Sequence, residues 1–156
     1  MMMRCHEPEH RSALREGVAL RKPAMVMEVA TELDVAAVVT LTLRFCADMG
    51  ATLVVAAHVA TAASELANNL WMHSNRGGHI GLRALQSPRG TGVELLAHDE
   101  GPGIADLALA LTEGYSTGGG LGCGLPGVRR LMDEFELDSV PGCGTRVLAR
   151  KWWPHG

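Results

Sequence analysis

The sequence STGGGLGCGLPG occupies residues 116–127 and leads directly into VRRLMDEF at residues 128–135. Five of the seven residues from Gly118 to Gly124 are glycine, so the backbone there can adopt positive φ and approach a ligand without intervening side chains. Pro126 has the fixed φ and the missing N–H that suit a first helical turn. Apolar residues then recur at helical spacing, which predicts a helix directly after the glycines. These apolar residues are Leu125, Val128, Leu131, Met132 and Phe135.

A glycine loop joined to a helix in this way offers a site for phosphate. The first turn of a helix leaves backbone N–H groups without intrahelical partners, and the positive end of the helix macrodipole lies there. A hinge before an ordinary helix would use the same residues, and short glycine motifs also occur by chance. The choice between a phosphate loop and a hinge therefore depends on other residues.

The length of the chain suits a single domain. A chain of 156 residues can bury a core of its own without disulfides or metals. Residues 1–24 are polar and show no sustained period, and we interpret them as a flexible leader. The domain is then expected to span residues 25–153.

Composition also limits the partners and the compartment. The formal charge is −3 and neither sign is concentrated in long runs, so we expect neither nucleic acid nor a membrane surface as the main partner. The four cysteines form no C-x-x-C pair and no zinc spacing, which favours isolated thiols in a reducing compartment. No apolar segment reaches the ~18 to 20 residues of a membrane span. We therefore expect a cytoplasmic protein.

The first half of the domain predicts one strand and two helices. A short strand is expected at residues 25–30. Asp34 is a candidate N-cap for a first helix, which Gly50 would end. A second helix is predicted at residues 53–73, because its apolar residues form one stripe at helical spacing.

The second half predicts two hairpins on either side of the glycine loop and its helix. The four strands fall at residues 79–84, 93–97, 136–140 and 145–152, where apolar and polar residues alternate. Turn residues at 87–90 and 141–144 connect them in pairs. This order of elements predicts an α+β fold, a two-layer sandwich with a mostly antiparallel sheet and the helices on one face.

Two polar residues stand one turn apart on the second helix. Glu65 and Asn69, at positions i and i+4, share a face beside the apolar stripe. An amide oxygen suits Mg²⁺, which prefers a few protein oxygens together with phosphates and water. A carboxylate can accept a proton from a hydroxyl group. A solvated helix face would show the same pair, so this motif alone does not establish a site.

Two further motifs follow strands. Asp99-Glu100-Gly101-Pro102-Gly103 places a carboxylate at a strand end; because it only accepts hydrogen bonds, it would select a base with an amino group. The glycines would let the backbone lie against a purine. Thr145 supplies a hydroxyl after the tight turn at residues 142–144. Each motif taken alone also fits an ordinary turn.

In this order along the chain, the motifs resemble those of the Bergerat-fold ATPases and kinases, the group of gyrase, heat-shock chaperones, histidine kinases and mismatch-repair proteins. Glu65-x-x-x-Asn69 resembles the N-box of that group. Its glycine boxes resemble Asp99-x-Gly101-x-Gly103, Gly120-x-Gly122-x-Gly124 and Gly142-x-Gly144-Thr145. Within the group, residues 64–69, 99–104 and 113–135 are similar to the single-domain switch kinases of the bacterial stressosome. The resemblance covers about residues 25–153 and implies a Bergerat fold.

The resemblance also implies roles for individual residues and the cofactors ATP and Mg²⁺. Glu65 would orient and deprotonate the hydroxyl that receives the phosphoryl group. Asn69 would contact the nucleotide through Mg²⁺, and Asp99 would select adenine. The other residues that it places at the nucleotide are Gly101, Gly103, Ile104, Thr117, Gly120, Leu121, Gly122, Cys123, Gly124, Leu125 and Thr145.

The function implied by the resemblance is that of an ATP-dependent serine/threonine protein kinase. Its substrate would be a STAS-domain antagonist protein of a partner-switching pathway that regulates a sigma factor, with a PP2C-type phosphatase or a sigma factor as further partners. A nucleotide-gated binding module, acting as an anti-sigma factor or phosphatase activator without catalysis, would use the same glycines. Glu65 distinguishes the two hypotheses, since pure binding has no use for a base beside Mg²⁺.

Overall fold

The computed structural model describes residues 19–20, 25–73, 77–99, 101 and 124–155. The strands in these residues are β1 (Ala19–Leu20), β2 (Met25–Val29), β3 (Gly78–Ser87), β4 (Gly90–Asp99), β5 (Glu134–Val140) and β6 (Gly144–Trp153). The helices in the same residues are α1 (Glu32–Asp48), α2 (Leu53–His73) and α3 (Gly124–Leu131). Their order along the chain agrees with the predicted order of strands and helices, with β1 in addition.

The strands form one antiparallel sheet with the order β1–β3–β4–β6–β5. β2 also pairs with β3, at residues 78–82, whereas β1 pairs with Leu85 and Gln86. Ala19–Leu20 thus join the sheet although they lie in the predicted leader; the boundary at residue 25 stays a prediction. The α+β class, with helices covering one face of an antiparallel sheet, is confirmed.

The core lies between the helices and one face of the sheet. Alternation along the strands turns every second side chain toward α2, which lies centrally among the helices and contacts α1, α3 and four of the strands. The buried apolar residues on this face of the sheet are Val29, Ile80, Leu82, Val93, Leu95, Ala97, Val147, Ala149 and Trp153. Within the described residues, no helix combines the length and the hydropathy needed to cross a bilayer.

Thr31 is the N-cap of α1, so the prediction of Asp34 as the cap is wrong. Asp34 is the third residue of the helix, and its Oδ2 accepts hydrogen bonds of 2.9 Å from the N–H groups of Ala30 and Thr31. These bonds hold the pKa of the Asp34 carboxyl below its usual value. A carboxylate at the third helical residue accepts hydrogen bonds from N–H groups at the start of the same helix. The sequence pattern therefore indicated the right helix start but placed the cap three residues too late. α1 ends at Asp48, and Gly50 follows with φ of +84°, as its predicted role as a stop requires.

α3 is shorter than predicted, because its last expected residue belongs to the sheet. Helix α3 ends at Leu131, and Phe135 lies on β5 opposite Ala149. The N–H of Asp133 already donates to the carbonyl oxygen of Arg150 at 2.9 Å, so the chain joins the sheet within two residues of the helix. Phe135 packs against the core from β5. For Phe135, the apolar spacing therefore predicted the contact with the core correctly, but the assignment of this residue to the helix was wrong.

Two cysteines differ in state. Cys46 on α1 is a buried free thiol, and burial raises its pKa to about 11. Cys143, in the turn between β5 and β6, is disulfide-bonded. The prediction of four isolated thiols is therefore wrong for Cys143. Cysteine spacing along a sequence does not show the pairing of cysteines in the fold.

Helix α2 approaches the start of β3 closely at Gly78. A Cβ atom at this residue would lie 2.4 Å from the carbonyl oxygen of His98 and 2.7 Å from Cδ2 of Leu70. Any other residue would therefore push α2 away from the sheet or distort the pairing of β3 with β4. The absence of a side chain at Gly78 permits the two layers to meet at this end of the sheet.

The sheet face without described helices carries a row of four charged residues. Arg83, Glu94, Arg150 and Glu134 lie opposite one another on β3, β4, β6 and β5. Nε of Arg150 lies 3.0 Å from Oε2 of Glu94, Nη1 of Arg83 lies 3.5 Å from Oε1 of Glu94, and Nη1 of Arg150 lies 3.6 Å from Oε1 of Glu134. Glu94 is 2% exposed and Arg150 is 3% exposed, so the central pair is buried.

We expect Gly78→Ala to lower the free energy of unfolding by about 1 to 3 kcal/mol, because the added methyl group overlaps the backbone of β4 and the side chain of Leu70. Gly81→Ala, on the same strand, is the matched control, since its Cβ would meet no atom closer than 3.9 Å. Urea denaturation of both variants measures the difference. Equal stability of the two variants would contradict the close contact.

We expect Arg150→Met to lower the free energy of unfolding by about 3 kcal/mol, because it leaves the buried Glu94 carboxylate without its nearest cation. The double variant Glu94→Leu/Arg150→Met removes both charges and should lose at least about 1 kcal/mol less than the sum of the two single variants. Chemical denaturation of the four proteins completes this cycle. Additive losses would show that the two residues do not interact energetically.

Candidate functional site

Four polar or small residues form a row across the end of the sheet. Asp99 is the last residue of β4; it lies opposite Gly78 of β3 on one side and opposite Thr145 of β6 on the other. Ser139 of β5 lies opposite Thr145. The residues two positions away in each strand pack in or against the core, so this row faces the helices. The register of four antiparallel strands thus collects groups that are far apart in sequence.

Asp99 shapes the backbone that follows it. Its Oδ1 accepts a hydrogen bond of 2.8 Å from the N–H of Gly101, which is buried. This is an Asx turn, in which the side chain of the first residue holds the chain two residues later. Asp99 is itself partly buried, and its second carboxylate oxygen can still accept a hydrogen bond. The end of β4 therefore presents the Asp99 carboxylate as a hydrogen-bond acceptor held in place by the turn, next to the buried backbone of Gly101.

Thr145 and Ser139 form a hydroxyl pair next to Asp99. Their oxygens lie 3.0 Å apart, and Ser139 Oγ also donates to the carbonyl oxygen of Gly144 at 3.2 Å. The turn that connects β5 and β6 closes with a hydrogen bond of 2.9 Å from the N–H of Cys143 to the carbonyl oxygen of Val140. The predicted hairpin therefore places the Thr145 hydroxyl at the end of the sheet.

Glu65 lies on α2 and is 7% exposed. Its Oε2 accepts a hydrogen bond of 3.2 Å from the N–H of Gly124, which is the first residue of α3 and has φ of +63°. A carboxylate at a helix N-terminus accepts from an N–H group without an intrahelical partner and interacts favourably with the helix dipole. The structure therefore brings the predicted base and the end of the predicted phosphate loop into contact.

Asn69 lies one turn after Glu65 on α2 and is partly buried. The next residue, Leu70, packs against Gly78 beside Asp99, so Asn69 stands close to the row at the end of the sheet. The neighbouring Asn68 is engaged elsewhere, because its Oδ1 accepts a hydrogen bond of 2.9 Å from Nε1 of Trp71. Of the two asparagines, Asn69 is therefore the one without a competing role for its side chain among the contacts described above.

The other predicted site residues divide into two sets. Leu125 lies in α3 as part of the buried core, which gives it a packing role in the structure. The remaining predicted residues lie outside the described residues, and their roles stay predictions. These residues are Gly103, Ile104, Thr117, Gly120, Leu121, Gly122 and Cys123. Within the described residues, no group of three or more His, Cys, Asp or Glu side chains is arranged to hold a metal ion.

Sequence reasoning missed Ser139 and Gly78. The hairpin turn at residues 141–144 fixes Ser139 opposite Thr145, so counting back from the turn would have identified the pair. Gly78 carried no comparable signal, because its importance comes from the distance between α2 and β3. A glycine at the start of a strand is otherwise an ordinary feature.

Comparisons with known proteins identify the family of this chain. Residues 28–151 match the family described as histidine kinase-like ATPase domain. The serine/threonine-protein kinase RsbT of Bacillus subtilis (strain 168) is 42% identical over 126 residues, which cover 81% of this chain and 94% of RsbT. The anti-sigma F factor of Thermoanaerobacter sp. (strain X514) is 32% identical over 118 residues, which cover 72% of this chain and 81% of that protein.

A solved structure shows the same fold. The mycobacterial sensor histidine kinase MprB aligns with a TM-score of 0.50 at 20% identity, over 76% of this chain and 95% of that chain. The family match includes both segments that meet at Glu65 and Gly124, and the whole row from Gly78 to Ser139. The chain therefore belongs to the family of histidine kinase-like ATPase domains.

Proposed function

We propose that the chain is an ATP-dependent serine/threonine protein kinase that acts in the cytoplasm on a STAS-domain antagonist protein in a bacterial partner-switching pathway. A PP2C-type phosphatase or a sigma factor would be its further partner. The identity with RsbT over most of both chains supports this proposal. Its main structural support is the buried Glu65 carboxylate at the N-terminus of α3.

The position of Glu65 suits a general base. One carboxylate oxygen is held by the N–H of Gly124, which fixes the orientation of the side chain and leaves the other oxygen for a substrate hydroxyl. A base at the start of α3 would lie where a terminal phosphate is attracted by the helix dipole. A protein that only binds nucleotide gains nothing from a carboxylate near phosphate, since the two charges repel each other.

The row at the end of the sheet suits the base of ATP. Asp99 presents an acceptor to the amino group of adenine, and the turn to Gly101 brings buried backbone against the ring. Asn69 would contribute one oxygen to Mg²⁺, with phosphates and water as the other ligands. A metal ion held by a single protein oxygen does not require a cluster of His, Cys, Asp or Glu side chains, and the described residues contain no such cluster. Mg²⁺ would neutralise the charge of the triphosphate when bound.

The proposed reaction transfers the γ-phosphoryl group to a serine or threonine hydroxyl. The hydroxyl gives its proton to Glu65 while its oxygen forms a bond to the γ-phosphorus, and the bond from that phosphorus to the bridging oxygen of ADP breaks. Residues 106–127 contain no lysine or arginine, so backbone N–H groups and Mg²⁺ must balance the charge of the phosphates. Proton acceptance by a positioned base is worth ~10² to 10⁴ in rate.

The anti-sigma F factors among the relatives favour a second candidate function. In that alternative, the chain is a nucleotide-gated binding module that holds a sigma factor, or activates a phosphatase, without catalysis. Both functions require ATP binding at Asp99. They differ in whether the Glu65 carboxylate contributes to phosphoryl transfer.

We expect Asp99→Asn to weaken ATP binding about tenfold to a hundredfold, because a charge-assisted hydrogen bond is worth about 1.5 to 3 kcal/mol. The asparagine oxygen can still accept from Gly101, so the turn is retained. Isothermal titration calorimetry with Mg-ATP measures the change. Asp48→Asn, at the exposed end of α1, is the matched control. Equal affinities of Asp99→Asn and the wild type would contradict the placement of adenine.

We expect Glu65→Gln to lower the rate of phosphoryl transfer to a STAS-domain protein by ~10² to 10⁴ while ATP affinity changes by less than about threefold. Glutamine keeps the size of the side chain and an oxygen for the N–H of Gly124. Transfer of label from γ-labelled ATP measures the rate, and Glu136→Gln, exposed on β5, is the control. A wild-type protein that binds its partner but transfers no label would instead support the binding module.

A further inference from the structure

Ser139 is a polar residue on a strand face that otherwise packs against the core. It lies on β5 opposite Thr145, and Thr145 in turn lies opposite Asp99. Leu137, two residues earlier on the same face of β5, packs against the core. After Phe135 and Leu137, the next residue on this face of β5 is therefore Ser139, whose hydroxyl lies next to the proposed adenine site.

The hydrogen bonds of Ser139 define the role of the neighbouring hydroxyl. Ser139 Oγ lies 3.2 Å from the carbonyl oxygen of Gly144 and 3.0 Å from Thr145 Oγ1. A carbonyl oxygen only accepts, so the first contact uses the single proton of Ser139. Thr145 is then the donor in the second contact. Its oxygen keeps its lone pairs for a third group.

We propose that Ser139 is a positioning residue that makes the nucleotide site select adenine, an inference that rests on the proposed function. With its proton engaged by Ser139, Thr145 presents an acceptor, as Asp99 does. Adenine carries an amino group with two donors at C6, whereas guanine and hypoxanthine carry a carbonyl oxygen there. Two neighbouring acceptors favour the amino group and reject the carbonyl oxygen, because acceptors facing each other form no hydrogen bond.

Removal of the Ser139 hydroxyl tests the inference. Ser139→Ala releases the proton of Thr145, which can then donate to a carbonyl oxygen at C6. We expect the Kd for ATP to stay within about threefold of the wild type, and the ratio of the Kd for ITP to the Kd for ATP to fall about tenfold. Titration calorimetry of the full chain with each Mg-nucleotide gives both constants. A loss of packing alone would weaken the binding of both nucleotides equally and leave the ratio of their Kd values unchanged.

Three further variants complete the experiment. Ser139→Thr keeps the hydroxyl and should keep the wild-type ratio. Asp138→Ala, on the opposite face of β5, is the control and should also keep it. If Ser139→Ala does not fold, Ser139→Cys retains the size with a weaker hydrogen bond and should lower the ratio in the same direction.

The outcomes separate this inference from the function on which it rests. A lowered ratio in Ser139→Ala that Ser139→Thr restores supports the positioning role. If the wild type binds ATP, two results overturn the positioning role. One is an unchanged Kd ratio in Ser139→Ala, and the other is an equal fall of the Kd ratio in Ser139→Thr. A wild-type chain that binds neither nucleotide overturns the proposed function and this inference with it.

Discussion

The close contact between α2 and the start of β3 is the constraint on which the candidate site depends. Gly78 lacks the side chain that would keep the two layers apart, and Leu70 fills the space. This contact sets the position of the preceding turns of α2 relative to the sheet. Glu65 and Asn69 precede Leu70 on this helix, so the contact at Gly78 fixes the helix that carries both residues.

A second contact joins α2 to the first residue of α3. The hydrogen bond between Glu65 and Gly124 connects residues that are 59 positions apart in sequence. It satisfies an N–H group at the helix start and orients the carboxylate at the same time. In the proposed reaction, a base held in this way would be oriented before its substrate arrives, which would lower the entropic cost of reaching the reactive geometry.

The two faces of the sheet have different roles. The face toward the helices combines the apolar core with the polar row at its end, whereas the other face carries the charged row from Arg83 to Glu134. Buried ion pairs contribute little net stability but are costly to break singly, so such a row favours one register of the strands over its alternatives. That register is also the one that aligns Asp99 with Thr145.

The sequence by itself determined the order of the elements, their approximate bounds and the α+β class, because apolar periodicity and turn residues are local properties of the chain. It also identified Glu65, Asp99 and Thr145 as candidates, since their motifs are short and follow predicted strands or lie on a predicted helix. The tertiary structure alone decided that Phe135 joins β5, that Thr31 caps α1, and that Ser139 contacts Thr145. It also decided which glycine the packing of α2 requires. These outcomes depend on distances between segments that are remote in sequence, and no local pattern encodes such distances.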